Sequence, residues 1–435
     1  MSVELIGVLW VALFFVLLAV RVPIAIAMGL IGLGGGAVLN GWSATAFITG
    51  GLPFSSVFPY GLSVVPLFVL MGTLALETGT SRNLYDAGNA AFGNMRGGLS
   101  MGTIAACAGF GAICGSSLAT AATMGRISIP EMRARGYDEG FAAATVAAGG
   151  TLGVLIPPSI ILVIYALLTE QSIGRLFVAA LIPGLIATVL YVIAIVITVR
   201  LRPALAPVHP LGDLRSRIAK FVAAWPIVLL FGVVLGGLFA GLFSPTEAAS
   251  VGVVGMLTLG FARRCLGLDA LLRAARDAAQ LTGMIFLILI GAAIFNSFVE
   301  ASQVTARLAE LIIGADLTAW QVITVILLLY IVLGCFMDSV SMIFLTLPFV
   351  YPIVQSYDMD PIWFGVLLLS VVEIGLITPP VGMNLFIVKA STPQLPMREL
   401  YAAILPFLAA DILRLILIAA VPALSLTLVA VLYGG

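Results

Sequence analysis

Residues 109–124 read GFGAICGSSLATAATM, and residues 142–160 read AAATVAAGGTLGVLIPPSI. Both segments are apolar, and both are interrupted near the middle. The first breaks at Gly115-Ser116-Ser117, the second between Gly149-Gly150 and Pro157-Pro158. A bilayer core offers no water to an unpaired backbone N–H or C=O. Broken backbone at that depth therefore persists only where protein buries it or where it lines a cavity. Discontinuous helices of this kind hold ions and substrates in secondary transporters.

The rest of the chain supplies the membrane. Of 435 residues, 62% are hydrophobic and 9% charged, with a mean hydropathy of +1.20. Soluble domains carry about 25% charged residues, so the fold class is an all-α polytopic membrane protein. Twenty basic and twenty acidic side chains cancel, which gives no pull toward nucleic acid. Cys107, Cys114, Cys265 and Cys335 show no CxxC spacing, and three of them read as small buried hydrophobes in apolar segments. The single histidine, His209, sits beside prolines in a connecting loop, against a His-based metal site or nucleophile. Neither Lys220 nor Lys389 follows a GxxxxGK[ST] glycine pattern, so ATP hydrolysis by a Walker site is excluded. The start MSVELIG has an acid and no basic n-region, so residues 4–20 are expected to be a retained first span.

About 20 apolar residues cross a bilayer. That length predicts spans near 4–20, 22–40, 61–77, 139–169, 173–199, 221–241, 246–262, 279–299, 362–388 and 403–430. The stretches 98–127 and 318–356 each carry a central break and are expected to be re-entrant hairpins. Residues 44–60, with Pro53 and Pro59, read as interfacial. The segments 78–97 and 300–317, alternately polar and apolar, read as interfacial arms.

The chain also repeats itself at an offset of about 222–224 residues. Pro23 matches Pro245, Gly111 matches Gly334, Pro157-Pro158 matches Pro379-Pro380, and Phe177 matches Tyr401. The expected organisation is a first half over 1–205, a cytoplasmic connection over 206–220 and a second half over 221–435. Each half then holds five crossings and one hairpin. Five is odd, so the second half is expected to be inverted, the plan of secondary transporters. With an external N-terminus, every basic residue except Arg175, Arg307 and Arg414 falls on the internal side. The positive-inside rule then puts both termini outside.

The chemistry concentrates at the two breaks and the two bends. At the first tip, Gly111 to Ser117 offers glycine-exposed carbonyls and serine hydroxyls, oxygen ligands suited to a hard cation such as Na⁺. A small-residue packing face reads equally from these residues. At the second tip, Asp338 within Gly334–Ser341 is either a cation ligand or the N-cap of the returning arm. At Gly149–Ser159 and at Glu373–Asn384 the prolines remove N–H donors and free carbonyls, which either ligate an ion or mark a simple kink. Glu373, an acid inside a span, reads as a coupling group, or as a carboxyl that is protonated or paired with the loop beside it. Ser244-Pro-Thr-Glu247 is a capping box and structural. Asp411 and Arg414, three apart on one helical face, read as an ion pair in preference to a substrate clamp.

These motifs resemble the large membrane subunit of a TRAP (tripartite ATP-independent periplasmic) transporter. The resemblance rests on GTLALETGTSRNLYDAGNAAFGNMRGG (72–98), GAICGSSLATAATMGRISIPEM (111–132), GTLGVLIPPS (150–159), FSPTEAA (243–249) and GLITPPVGMNLF (375–386). It implies an elevator-type secondary transporter, not an enzyme, in the bacterial inner membrane with both termini periplasmic. The implied cargo is an organic acid of the dicarboxylate, sialic acid or keto acid class. The implied partners are a small four-helix membrane subunit and a periplasmic substrate-binding protein. Because the chain opens at the first span, the small subunit is expected to be a separate polypeptide. The resemblance implies no cofactor; the coupling ion is Na⁺, on Ser116, Ser117 and Gly153 at one tip and on Gly334, Asp338, Gly375 and Thr378 at the other. The implied substrate contacts are Ser117, Ser339 and Asn384. A Na⁺-coupled carboxylate transporter without a binding protein, or an ion channel, are the alternatives. An intramembrane hydrolase lacks a base, since no histidine lies in a span.

Overall fold

The computed structural model describes residues 3–208 and 213–434, so His209 lies outside the described residues. Within them every regular element is helical. A helix satisfies its backbone internally, which is what a lipid-embedded chain requires. Among the described residues seven helices are long and apolar enough to cross a membrane, and the bent pair Glu139–Leu155 and Ile160–Leu168 makes eight if it is counted as one span. Large apolar side chains face outward on several of them, among them Ile197 and Val228, as expected of surfaces that meet lipid. The chain is a multi-pass membrane protein.

The helices form two compact units, each assembled from separated stretches. The first takes Met1–Ser63, Ala279–Leu329 and Val340–Pro361. Its interior is aromatic: Phe14 packs on Phe295 at 5.4 Å between ring centroids, and Phe295 on Phe349 at 6.3 Å. The second takes Val64–Ala278, Tyr330–Ser339 and Ile362–Gly435. It contains the helices Gly98–Cys114 and Ser117–Ala134, the bent pair, most of Pro361–Ile377 with Met383–Ser391 after it, and the turn between Ala319–Gly334 and Ser339–Ser356.

Local signals explain where helices of the second unit begin. Asp138 accepts from the Phe141 N–H at 2.8 Å and starts Glu139–Leu155. That helix stops before Pro157-Pro158, and the chain resumes 42° away when Ser159 caps Ile160–Leu168, accepting from Leu162 N–H at 3.3 Å. The capping box read at Ser244 is present: the Ser244 N–H donates to Glu247 Oε2 at 2.7 Å, and the Glu247 N–H to Ser244 Oγ at 3.3 Å.

Boundaries differ from expectation at several places; the span expected at 221–241 begins earlier, as Leu214–Phe239, inside the stretch expected as a connection over 206–220. Residues 403–430 are not one helix; Met397–Ala420 ends before Pro422 and Ala423–Tyr433 follows. Proline cannot donate to the carbonyl one turn back, so the helix breaks although both flanks are apolar. The span expected at 279–299 belongs to a longer helix, Leu268–Ala301, whose first turns carry Asp269, Arg273, Arg276 and Asp277. Residues 42–57 are helical as Trp42–Val57, with Pro53 inside.

Candidate functional site

The first tip is a glycine turn. Gly115 takes φ +61, a left-handed conformation that costs glycine little, and its N–H bonds the Gly111 carbonyl at 2.8 Å. Ser116 then caps the returning helix, accepting from Ala119 N–H at 3.4 Å. The tip lies against the first bend without intervening side chains. A Cβ built on Gly111 would lie 2.3 Å from Gly153 Cα. One built on Gly153 would lie 2.5 Å from Thr120 Oγ1 and 2.8 Å from the Ser116 carbonyl oxygen.

The second tip repeats this approach. A Cβ on Gly375 would lie 2.5 Å from Gly334 Cα. The Gly382 N–H donates to the Cys335 carbonyl at 3.1 Å, tying the second bend to the turn. Asp338 is partly exposed, one residue before the returning helix Ser339–Ser356. Thr378 directs its hydroxyl to the Ile374 carbonyl at 2.6 Å.

Both tips converge on one carboxyl. Glu373, on Pro361–Ile377, is fully buried. The Ser117 hydroxyl donates to its Oε2 and the Ser339 hydroxyl to its Oε1, the latter at 3.1 Å. Ser117 opens the returning arm of the first hairpin and Ser339 that of the second. Asn384 lies close by: its Nδ2 donates to the Ala147 carbonyl at 3.3 Å, and its Oδ1 has no hydrogen-bond partner among the described residues. A Cβ on Gly150 would lie 3.1 Å from Asn384 Nδ2 and 3.2 Å from the Ser117 carbonyl. The three residues read as substrate contacts are thus gathered around Glu373 and Gly150.

Glu373, which the sequence leaves between coupling and simple pairing, is the group that joins the tips. Thr120 is a residue the sequence reading did not single out. Its hydroxyl faces Gly153. The available signal was its position one helical turn after Ser116.

Behind the site lies a charged network. Asp411 and Arg414, on Met397–Ala420, form the ion pair their spacing suggested, at 3.0 Å and fully buried. Tyr191 donates to Asp411 Oδ2 at 2.6 Å and pairs with Thr151 at 2.9 Å, next to the first bend. Arg414 Nη2 also reaches the Ser370 carbonyl at 3.4 Å, one turn before Glu373.

Polar groups buried at broken helices within an all-helical, multi-pass chain fit a membrane permease. The chain belongs to the DctM family: the family model "Tripartite ATP-independent periplasmic transporter, DctM component" matches residues 11–424. It is 36% identical to the C4-dicarboxylate TRAP transporter large permease protein DctM of Pseudomonas aeruginosa, over 85% of this chain and 86% of that one. The protein of the same name from Vibrio cholerae is 33% identical over 98% of each chain. The crystal structure of the Alcanivorax borkumensis YdaH transporter shares the fold, with a TM-score of 0.61 at 17% identity over 93% of this chain and 98% of that one.

Proposed function

We propose that this chain is the permease subunit of a Na⁺-coupled secondary transporter that imports an organic acid delivered by a periplasmic binding protein. The observation that carries this reading is the convergence of two hairpin tips, through Ser117 and Ser339, on one buried carboxyl. In secondary transporters, substrate and coupling-ion sites are typically formed by discontinuous helices near the bilayer midplane. A C4-dicarboxylate is the first cargo class to try, because two of the relatives above bear that name.

Cargo recognition falls to Ser117, Ser339 and Asn384. Na⁺ recognition falls to Ser116, Ser117 and Gly153 at the first tip, joined here by Thr120, and to Gly334, Asp338, Gly375 and Thr378 at the second. The chemistry supports a hard cation at the first tip: the Ser116 carbonyl and the Thr120 hydroxyl are neutral oxygens that face the bare Gly153 backbone.

In this reading the halves 1–205 and 221–435 are inverted repeats around the connection 206–220, with hairpins 98–127 and 318–356 and bent spans 139–169 and 362–388. Support comes from the paired close approaches, Gly111 to Gly153 and Gly334 to Gly375, which recur at the sequence offset. The hairpins and bent spans move as one body past a scaffold of the remaining spans, and bound Na⁺ favours the cargo-competent arrangement. Both termini face the periplasm, a small four-helix membrane subunit completes the complex, and lipid surrounds it.

The test is uptake of [¹⁴C]succinate by proteoliposomes that hold this chain and its small partner. An inward Na⁺ gradient, a loaded binding protein and ATP are supplied or withheld in turn. Uptake that needs Na⁺ and the binding protein but not ATP supports the proposal. Uptake with Na⁺ alone removes the tripartite element, and Na⁺-independent, non-saturating flux replaces the carrier with a channel.

A further inference from the structure

The two hydroxyls read as cargo contacts are already engaged. Ser117 and Ser339 both donate to Glu373, one to each carboxyl oxygen. A cargo carboxylate can use these hydroxyls only by taking them from Glu373. Glu373 is then a fully buried carboxyl in need of other donors, because an unsatisfied buried acid is strongly disfavoured.

Arg414 has such donors to offer. A guanidinium carries five N–H groups and stays charged. Arg414 is fully buried, and its Nη2 serves both Asp411 and the Ser370 carbonyl. Its Nε and Nη1 have no hydrogen-bond partner among the described residues. Ser370 and Glu373 lie three residues apart on Pro361–Ile377, so they share a helix face. Asp411, itself held by Tyr191, keeps the guanidinium in place.

We infer that Glu373 is a built-in rival for the cargo's carboxylate: on loading it yields Ser117 and Ser339 to the cargo and turns to the open N–H groups of Arg414. Two arrangements then exist, and in each the Glu373 carboxyl keeps hydrogen-bond donors. In one, the serines hold Glu373 and the arginine keeps open donors. In the other, the serines hold cargo and the arginine holds Glu373. The rivalry screens cargo, since a ligand without a carboxylate has no group to offer in the exchange. Arg414 is a positioning residue here and touches no cargo. The inference rests on Ser117 and Ser339 being cargo contacts.

The test is equilibrium binding of [¹⁴C]succinate and [³H]N-acetylneuraminate to the full chain in Na⁺-containing nanodiscs, using whichever probe the unaltered protein binds. Charged acceptors form hydrogen bonds about twice as strong as neutral ones. Glu373→Gln therefore weakens the rival and should lower Kd by about threefold or more. Arg414→Gln should raise Kd about tenfold. Asp411→Asn combined with Arg414→Gln, which leaves no lone buried charge, should do the same. The decisive arm adds Glu373→Gln to that pair: with no rival to accommodate, the loss should vanish. A loss that persists in the Glu373→Gln background marks Arg414 as merely structural and overturns the inference. Failure of the underlying site looks different. Wild-type affinity in both Ser117→Ala and Ser339→Ala, or no binding of either probe to the unaltered chain, removes the cargo contacts and the inference with them.

Discussion

Gly111 and Gly153 bring two helices together backbone to backbone: a Cβ on Gly111 would sit 2.3 Å from the Cα of Gly153. A Cβ on Gly111 meets backbone alone, and one on Gly153 meets the Thr120 side chain and the Ser116 carbonyl, so growth at either residue crowds the contact. Gly111→Ala and Gly153→Ala are each expected to destabilise the protein by about 1–3 kcal/mol, the usual range for overpacking. Uptake should fall with them. Gly51→Ala, where a Cβ meets nothing within 4 Å, serves as the control and should leave melting temperature in detergent and uptake unchanged.

Ser117 and Ser339 each donate one hydrogen bond to the same carboxyl. A hydrogen bond to a charged group contributes about 1.5–3 kcal/mol. If cargo takes these hydroxyls, Ser117→Ala and Ser339→Ala should each weaken cargo binding about tenfold or more. Thr restores the hydroxyl, so Ser339→Thr should recover part of the affinity. Titration of the purified variants with labelled succinate checks both expectations.

The pair of Asp411 and Arg414 is expected to matter most when it is halved. Removing one partner of a buried ion pair costs about 3–5 kcal/mol, because the other charge is left without its counterpart. Asp411→Leu should therefore lower the melting temperature far more than Tyr191→Phe, which removes a single hydroxyl from the network. Thermal unfolding monitored by intrinsic fluorescence ranks them.

Cys265 gives a handle on orientation that needs no engineering. It is the exposed free cysteine among the described residues, while Cys107, Cys114 and Cys335 are buried. It follows Arg263 and Arg264, in a loop the charge rule assigns to the cytoplasm. A membrane-impermeant maleimide should label it in inside-out vesicles and not in right-side-out ones. A C-terminal alkaline phosphatase fusion should be active in the periplasm. The reverse pattern overturns the proposed orientation.

The all-helical membrane fold class and the helix breaks were legible because they depend on local chemistry. Apolar length reports a span, and Gly115-Ser116 and Pro157-Pro158 report breaks wherever they stand. The capping box at Ser244 and the spacing of Asp411 and Arg414 are equally local, and both contacts are present. The role of Glu373 was not legible, because its partners stand 256 and 34 residues away. Thr120 was passed over since threonine in a small-residue helix is unremarkable until Gly153 is seen opposite it. The break at Pro422 escaped because hydropathy registers side chains and not a missing N–H.

The separation between Ser117 and Glu373 also constrains how the protein is made. The first tip leaves the ribosome 256 residues before the carboxyl that receives its hydroxyl. At about 5–20 residues per second, that is roughly 13–51 s of synthesis. During this interval the nascent hairpin, with its bare glycine turn and unpaired serine, has already reached the insertion machinery. Biogenesis must therefore shelter a half-built polar centre from lipid until the last third of the polypeptide arrives to close it.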